Sequence, residues 1–587
     1  MRGTGELLDR QTEENMEAAR AYRGQPPRQA LVPYRNVGHL LDMRAQESPD
    51  ITFLINYDAD GNRTAFTYAE FIARVNQTAN LLGKVLGVKR GDRVAILAHN
   101  YSDTVVIYFA CWKIGACVAP QNVTEDTSNL AYILRHSGSV VALVCGEHLE
   151  RAERIIRGWD SSVPNIRHIV QLDGAEQPNY LYFPSAIATQ PATFTPADPA
   201  TLDSEGLMVH VGGATGAPKG VTLTQYNMLV NARAIADWQA ITGNQRMMGV
   251  LPIQHVNGTI VTLVTPLYVG GSTVLNRQYR ASTFWQRIAQ EKVHVASVVP
   301  TMLQSSCEYA DARQAASQSI WGEGVTRDQL QHFRHVMCGV GTLAVALAKR
   351  FEDQFGFPIL HGYGLSEATC SSSFLPIDLD WKAHRHWMQD FGYPSIGCPI
   401  NGNEMAIFHV TGNGQMLGPG ERGEIYIRGH NVMKHYYQRA DFNREAFKFG
   451  WLRSGDEGFF EVDERGREFF FITGRIKELI NRGGLTFSPF DIEEVLLEIP
   501  GIKLALAIAF ENDFYGEEVG AYVVLEEHSQ LTEAQILDHC RQRMPFEQTP
   551  KVVVFGTEIP VTATGKYQRL QLRDLFAEWT STQFRRP

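Results

Sequence analysis

Met208-Val209-His210-Val211-Gly212-Gly213-Ala214-Thr215-Gly216-Ala217-Pro218-Lys219-Gly220 is the stretch on which the reading of the fold turns. Its approach, Gly206-Leu207-Met208-Val209, is apolar and predicts a strand, after which four glycines, a threonine and a lysine fall within nine positions. Glycines allow tight turns whose backbone amides face an anion, and lysine adds a mobile positive charge, so the loop has the composition of a phosphate cradle. The spacing is not that of G-x-x-x-x-G-K-[ST], because Pro218 precedes Lys219 and Gly220 follows it. Nor is it the dinucleotide fingerprint, since G-x-G-x-x-G is absent and the lysine would go unused. Taken alone, the stretch would also suit a flexible surface loop, and its partners must decide.

The chain has 587 residues, 44% of them hydrophobic, which is too much for one comfortable domain and predicts two or more. A net charge of -10 argues against a general nucleic-acid binder. The eight cysteines are scattered, with only Cys111 and Cys117 close, so the spacing suggests neither a disulfide framework nor a zinc site, and reduced cysteines in the cytoplasm are expected. The N-terminal residues carry Glu6, Asp9, Glu13 and Glu14 without an apolar run, unlike a secretory signal, and stretches such as Val105 to Ala110 are too short to cross a bilayer.

Along the chain, residues 1–36 are polar and read as an extension packed on, or trailing from, the body. Strands are expected at 93–97, 116–120, 139–145, 206–209, 247–252, 273–275, 293–300, 336–341 and 358–361, with helices at 71–82, 103–114, 259–267 and 343–355 between them. That alternation predicts α/β layers on mostly parallel sheets, and 173–198 reads as a loop. Polar or glycine-rich clusters follow four of the strands, at 211–220, 253–258, 339–341 and 362–367, where open α/β sheets form ligand crevices. From about residue 400 short β elements dominate. After Gly474-Arg475-Ile476-Lys477-Glu478, residues 492–555 alternate as a compact α+β unit.

Five of these segments carry a resemblance. The loop 211–220 is similar to T-S-G-T-T-G-x-P-K-G, Tyr363-Gly364-Leu365-Ser366-Glu367 to Y-G-x-T-E, and Arg453-Ser454-Gly455-Asp456-Glu457-Gly458 to R-x-G-D-x-G. Gly474 to Glu478 is similar to G-R-x-K-[DE], and Pro560-Val561-Thr562-Ala563-Thr564-Gly565-Lys566 to P-x-T-x-x-G-K. In this order they resemble the adenylate-forming (AMP-binding) enzymes, and within them the acyl-CoA synthetases or carboxylate:CoA ligases, over about residues 40–575. The resemblance implies an α/β fold. A large N-terminal domain of layered α/β subdomains (37–475) with a small β-rich subdomain would be followed by a mobile α+β C-terminal lid (476–579) and a tail (580–587).

It also implies roles. Thr215, Lys219 and the glycines Gly212, Gly213 and Gly216 would hold the departing phosphates of ATP, and Glu367, with Thr215, would ligate Mg2+. Tyr363 would stack on adenine, with Gly339, Val340 and Gly341 along its other edge and Gly364 and Ser366 in the adjoining turn. Asp456 would hold the ribose hydroxyls, with Arg475 on ribose or phosphate. Lys566 would bridge carboxylate and α-phosphate during adenylation. Lys477 would then be the hinge about which the lid exchanges Lys566 for the Asn481-Arg482-Gly483-Gly484 loop, with Gly483 and Gly484 along the coenzyme A tunnel. His255, after Leu251-Pro252, matches a gate beside the acyl pocket. Its alternative is a loop histidine capping the strand end.

Four positions depart from the pattern. Val211, Gly212 and Ala214 stand where hydroxyl residues are common, and an unreplaced hydroxyl bond to phosphate is worth about 1–3 kcal/mol. Gln225 replaces a usual histidine and suggests a structural role. Gln254-His255 offers no carboxylate for a substrate ammonium, which disfavours amino-acid adenylation. No insertion before the lid marks an acyl-AMP ligase, although delivery to a carrier protein and an inactive paralogue stay as alternatives. The substrate is then a carboxylic acid of open identity and chain length, with a monocarboxylate favoured because no Arg or Lys is obvious among the pocket positions. It would be used with ATP and CoA by a protein whose oligomeric state is left open, a homodimer included, with no nucleic acid or transmembrane segment involved. Met337, Cys338, Gly339, His255, Val256, Thr259 and Ser371 to Phe374 are expected around it. The aromatic segment Trp381 to Met388 either roofs the entrance or caps the domain.

Overall fold

The computed structural model describes residues 8–27, 31–158, 163, 165–212, 217–562 and 567–586. Two large sheets carry its N-terminal part. One has eight strands among the described residues, in the order His435–Tyr436, Lys219–Thr224, Glu205–Val211, Cys117–Pro120, Arg93–Leu97, Val141–Val144, His168–Gln171 and Leu181–Tyr182. The other has nine, running from Cys398–Pro399 and Ser373–Phe374 through Ile359–Tyr363, His335–Cys338, Val295–Val298, Arg246–Gly249 and Ser272–Asn276 to Thr52–Tyr57 and Arg63–Thr67. Their central strands pair in parallel, as βαβ crossovers require.

The largest core lies between these layers. The helix Ser102–Ile114 is buried at every residue from Thr104 to Ile114, so it has no polar face to show water. Trp112 donates its indole N–H to the Gly206 carbonyl (2.7 Å), and Gln225 donates to the Trp112 carbonyl (2.9 Å) while accepting from the Val37 amide (2.9 Å). Gln225 is therefore a buried strut that ties three segments to the strand feeding the phosphate loop.

Several elements differ from the expectations. Residues 259–267 are not one α-helix: a π-helical stretch, Asn257–Val264, leads into a short α-helix, Thr265–Val269. The segment read as a loop at 173–198 contains the strand Leu181–Tyr182 and the helix Phe183–Ala188. The motif at 453–458, which looks like a turn, is part of a long strand, Trp451–Val462, with a register shift between Glu457 and Gly458. The N-terminal helix Arg10–Ala19, capped by Asp9, packs on that strand, and Arg23 and Gln25 bond to Glu404 and His430.

Between Asn403 and Arg475, the strands Asn403–Phe408, Gly423–Gly429, Phe447–Lys448, Trp451–Val462 and Glu468–Arg475 form a further antiparallel sheet. After the 3-10 turn Ile476–Glu478 the chain enters a different sheet, made of Ile480–Arg482, Leu485–Phe487, Ile502–Asn512, Gly516–Leu525 and Val552–Gly556, with helices Pro489–Leu497 and Glu533–Arg543 and its own core. The two parts meet through Arg422–Asp491 (2.9 Å) and Lys503–Glu308 (2.8 Å).

The aromatic segment is the helix Trp381–Gln389, and it caps the body. Trp387 stacks on Phe469 (3.8 Å between ring centres), and Arg385 is paired with Asp353, so neither is offered to a ligand.

Candidate active site

The parallel strands of the nine-stranded sheet release their chains at one edge, and the clusters at 253–258, 339–341 and 362–371 collect there. They face the phosphate-loop strands and the start of the C-terminal part across a cleft of about 1190 Å³.

On the side of the cleft formed by strands 205–211 and 219–224, Val211 and Lys219 stand opposite each other where the two strands part. Gly213, Ala214, Thr215 and Gly216 lie outside the described residues. Gly212 has open space where a Cβ would stand. The strand His435–Tyr436 pairs beside Lys219–Thr224 and sets the Tyr436 ring 4.8 Å from the Lys219 ammonium, with Phe442 at 4.4 Å. Burial lowers the pKa of Lys219, and the Glu367 carboxylate acts against that shift. Tyr436 donates its hydroxyl to Glu367 Oε1 (2.6 Å). The other carboxylate oxygen takes no hydrogen bond among the described residues and remains as a hard oxygen donor on the cleft wall, which suits Mg2+. Sequence reasoning missed Tyr436 and Phe442, since no motif marks them and only strand pairing brings them to the lysine.

The turn carrying Ser366 and Glu367 is held firmly. Asn431 donates to the carbonyls of Ala368 (2.8 Å) and Ser371 (3.0 Å), and Thr369 donates to the Asn431 carbonyl (2.5 Å) from a left-handed backbone. A Cβ on Gly364 would lie 1.8 Å from the Cys370 carbonyl oxygen. Gly364→Ala is therefore expected to break this turn, at about 1–3 kcal/mol or more for a clash with backbone. The measurement is thermal unfolding with and without ATP. The variant should melt lower and lose the stabilisation by ATP, and a wild-type response would contradict the packing.

Elsewhere on the cleft wall, Tyr363 ends its strand buried and donates its hydroxyl to Asp456 Oδ2 (2.7 Å), while Arg475 reaches Asp456 Oδ1 (3.2 Å). Asp456 and Arg475 are register partners on neighbouring strands, which fixes the pair. The Asp456 carboxylate raises the pKa of Arg475 further. Gly455, at φ +76°, donates its amide to Glu424 (3.1 Å), and Arg453 chelates the same buried carboxylate. Gly339 has no room for a Cβ, which would stand 2.9 Å from the Gly362 carbonyl oxygen, and Val340 is exposed at φ +73°.

At the far end the cleft is lined by His255, Val256, Ser297, Met337, Cys338, Gly339, Cys370, Ser371 and Phe374. Thr259 is not among them: its hydroxyl is donated to the Ile253 carbonyl (2.5 Å) inside the π-helical stretch. Ser372 and Ser373 are likewise buried away from the cleft. His255 has a buried Nε2 with no partner among the described residues.

Burial pushes His255, His361 and His435 down to about 4, and His210 and His335 to about 3. In the unfolded chain these imidazoles protonate near 6.5. The unfolded state then binds more protons as pH falls from about 7 towards 4, so stability is lost through that window. The apparent unfolding temperature should be several degrees lower at about pH 5 than at about pH 7, and a flat profile would contradict the neutral, buried assignment.

Lys566 lies outside the described residues. Its flanks do not: Val561, Thr562, Tyr567, Gln568 and Arg569 all line the cleft. Val561 and Tyr567 form a β-bridge and Gln568 donates to the Pro560 carbonyl (2.8 Å), while buried Arg569 pairs with Glu493 and Glu478. Lys477 also lines the cleft, and its charge acts on Lys219. Gly483 and Gly484 are not brought there. They form the two-residue turn, at φ +58° and +88°, between Ile480–Arg482 and Leu485–Phe487, outside the cleft lining.

This gathering of Lys219, Glu367, Tyr363 and Asp456 with the residues flanking 563–566 around one cleft coincides with two family models: AMP-binding enzyme over residues 41–437, more than half of the chain, and AMP-binding enzyme C-terminal domain over 491–566. The chain belongs to the AMP-binding enzyme family. It is an AMP-forming acid–thiol ligase with the acyl-CoA synthetase fold. The sulfoacetate–CoA ligase of Cupriavidus necator is 29% identical to it, covering 91% of this chain and 96% of that protein. A probable CoA ligase of Humulus lupulus is 32% identical, covering 88% and 92%. Among solved structures, an anthranilate CoA ligase in complex with anthranoyl-AMP superposes with a TM-score of 0.79 at 26% identity, covering 92% of this chain and 97% of that one.

Proposed function

We propose that the ligase runs both of its half-reactions in this cleft, on a monocarboxylic acid, and that it does so by exchanging two loops of residues 476–579. In the first half-reaction a carboxylate oxygen of the acid attacks the α-phosphorus of ATP, the bond to the β-phosphate oxygen breaks, and pyrophosphate leaves. Lys219, with Thr215 and the amides of Gly212, Gly213 and Gly216, holds the departing phosphates. Magnesium bound at Glu367, with Thr215, would offset phosphate charge. Asp456 takes the ribose hydroxyls, with Arg475 holding it in place, and Tyr363, Gly364, Ser366 and the Gly339-Val340-Gly341 backbone frame the adenine. Lys566 bridges the carboxylate and the α-phosphate.

In the second half-reaction the lid turns about Lys477, Lys566 withdraws, and the Gly483-Gly484 turn enters. The thiol of CoA gives up its proton and attacks the acyl carbonyl, and AMP leaves with the electron pair of the acyl–oxygen bond.

The observation that carries this reading is the placement of both ends of the 560–568 loop on the cleft, while Gly483 and Gly484 stand outside it, an arrangement suited to adenylation. A monocarboxylate is favoured because no lysine or arginine stands among the described residues around His255, Cys338 and Phe374, and Arg350 and Lys503, elsewhere on the wall, are paired with Asp311 and Glu308. Eight free, buried cysteines support work in the reducing cytoplasm.

The test is a panel of mono- and dicarboxylic acids with ATP, with and without CoA, read by product mass. Acyl-CoA from monocarboxylates is expected. Acyl-AMP that accumulates despite CoA would instead favour delivery to a carrier protein, and no activation of any acid would favour an inactive paralogue.

A further inference from the structure

We propose that His99, Cys145, Glu147 and His148 form a binding site for a zinc-class divalent cation, outside the catalytic cleft, that staples together the ends of two neighbouring interior strands of the eight-stranded sheet. The strands Arg93–Leu97 and Val141–Val144 are parallel neighbours with Leu97 opposite Val144, so the residues just beyond them emerge side by side. His99 follows the first strand, and Cys145 follows the second, its amide donating to the Leu97 carbonyl (3.0 Å). The 3-10 turn Gly146–His148 then folds Glu147 and His148 back over the same spot.

That turn is set by its surroundings. Gly146 donates to Asp173 (2.5 Å), and a Cβ there would meet the Asp173 carbonyl oxygen at 2.7 Å. The four candidate ligand atoms lie within 4.8 Å of one another. Zinc bonds of roughly 2.0–2.3 Å span tetrahedral edges of roughly 3.5 Å, so closure asks for side-chain rotation alone. One thiol, two imidazoles and one carboxylate form a borderline-soft donor set suited to zinc rather than to magnesium or calcium. His148 Nε2 is a buried atom with no hydrogen-bond partner among the described residues and stands 4.0 Å from Glu147 Oε1, on which His99 Nε2 already rests. Arg277 lies 3.5 Å from Glu147 and over the Tyr101 ring. On metal binding Cys145 releases its proton to solvent, and thiolate and carboxylate together offset the two charges of the cation, with Arg277 left as an outer partner of Glu147.

None of the four residues lines the catalytic cleft. Their neighbour Asn100 nevertheless donates to the Leu251 carbonyl (2.9 Å) and accepts from the Ile253 amide (2.9 Å), holding the segment that leads to His255. The scattered cysteines hid this site in the sequence, because its ligands come together only where two strands end.

The experiment uses the full chain with any affinity tag removed, stripped with a chelator, given zinc chloride in the absence of ATP, and desalted. One zinc per chain by elemental analysis is expected, as is a thiolate-to-cobalt charge-transfer band when cobalt(II) replaces zinc. Glu147→Gln and His148→Gln should weaken zinc binding about 10-fold or more, and Cys145→Ser should also abolish the band. Circular dichroism and acid-dependent pyrophosphate release show whether each variant is folded. If Cys145→Ser fails to fold, the two milder variants decide. Failure of the wild-type chain to retain zinc, or retention unchanged in the folded variants, would overturn the site.

Discussion

Lys566→Ala is expected to reduce acid-dependent pyrophosphate release by about 100- to 1000-fold while leaving CoA transfer from supplied acyl-adenylate nearly intact. The magnitude is that of removing one preorganised charge from a developing anionic transition state. The asymmetry follows from the proposed loop exchange, in which a lysine used only for adenylation would be withdrawn before the thiol arrives. The β-bridge of Val561 with Tyr567 and the pairs of Arg569 fix the base of its loop on the cleft wall, so alanine alters the charge without displacing the scaffold. Stopped-flow detection of pyrophosphate and a separate assay of CoA transfer resolve the two steps. Equal loss in both would show a structural lysine, and loss in neither would remove it from the chemistry.

Glu367→Gln should produce the second large effect, a fall in adenylation of at least the roughly 10- to 100-fold that weaker perturbations of metal sites cost, partly recovered at high magnesium. An amide keeps the shape and can still accept from Tyr436, but it loses the charge proposed to hold the cation, which also opposes the lowered pKa of Lys219. A magnesium titration of the initial rate separates the two contributions: a shifted midpoint reports the metal, and an unrecovered rate reports the lysine. Unchanged magnesium dependence would assign the metal to another ligand.

Much of the fold was legible because buried parallel strands are short apolar runs punctuated by glycine. The strands at 93–97 and 205–211 and the helix at 102–114 fall close to where apolar patterning put them. Local pattern could not show which strands pair at a distance. Thr52–Tyr57 joins Ser272–Asn276 across more than two hundred residues, and His435–Tyr436 completes the phosphate side from equally far. The strand Trp451–Val462 was hidden because its Ser454-Gly455-Asp456-Glu457-Gly458 core is turn-like in composition and owes its extended form to partners on both sides. The π-helical stretch at 257–264 reads as an ordinary helix because the apolar positions are the same and only the hydrogen-bond register differs.

The candidate site divides in the same way. Lys219, Glu367, Tyr363, Asp456 and Arg475 sit in recognisable motifs, and the structure gathers them on one cleft. Tyr436 and Phe442 had no such signal. Thr259 faced the wrong way for a reason no motif carries, the hydrogen bond of its hydroxyl to Ile253.

In the proposed order of steps the acyl-adenylate forms and pyrophosphate leaves before the thiol takes part. Exchange of labelled pyrophosphate into ATP, measured with the cognate acid and magnesium but without CoA, tests that order. Acid-dependent exchange under those conditions, lost in Lys566→Ala, is the expected result. Exchange that needs CoA to be present would refute it.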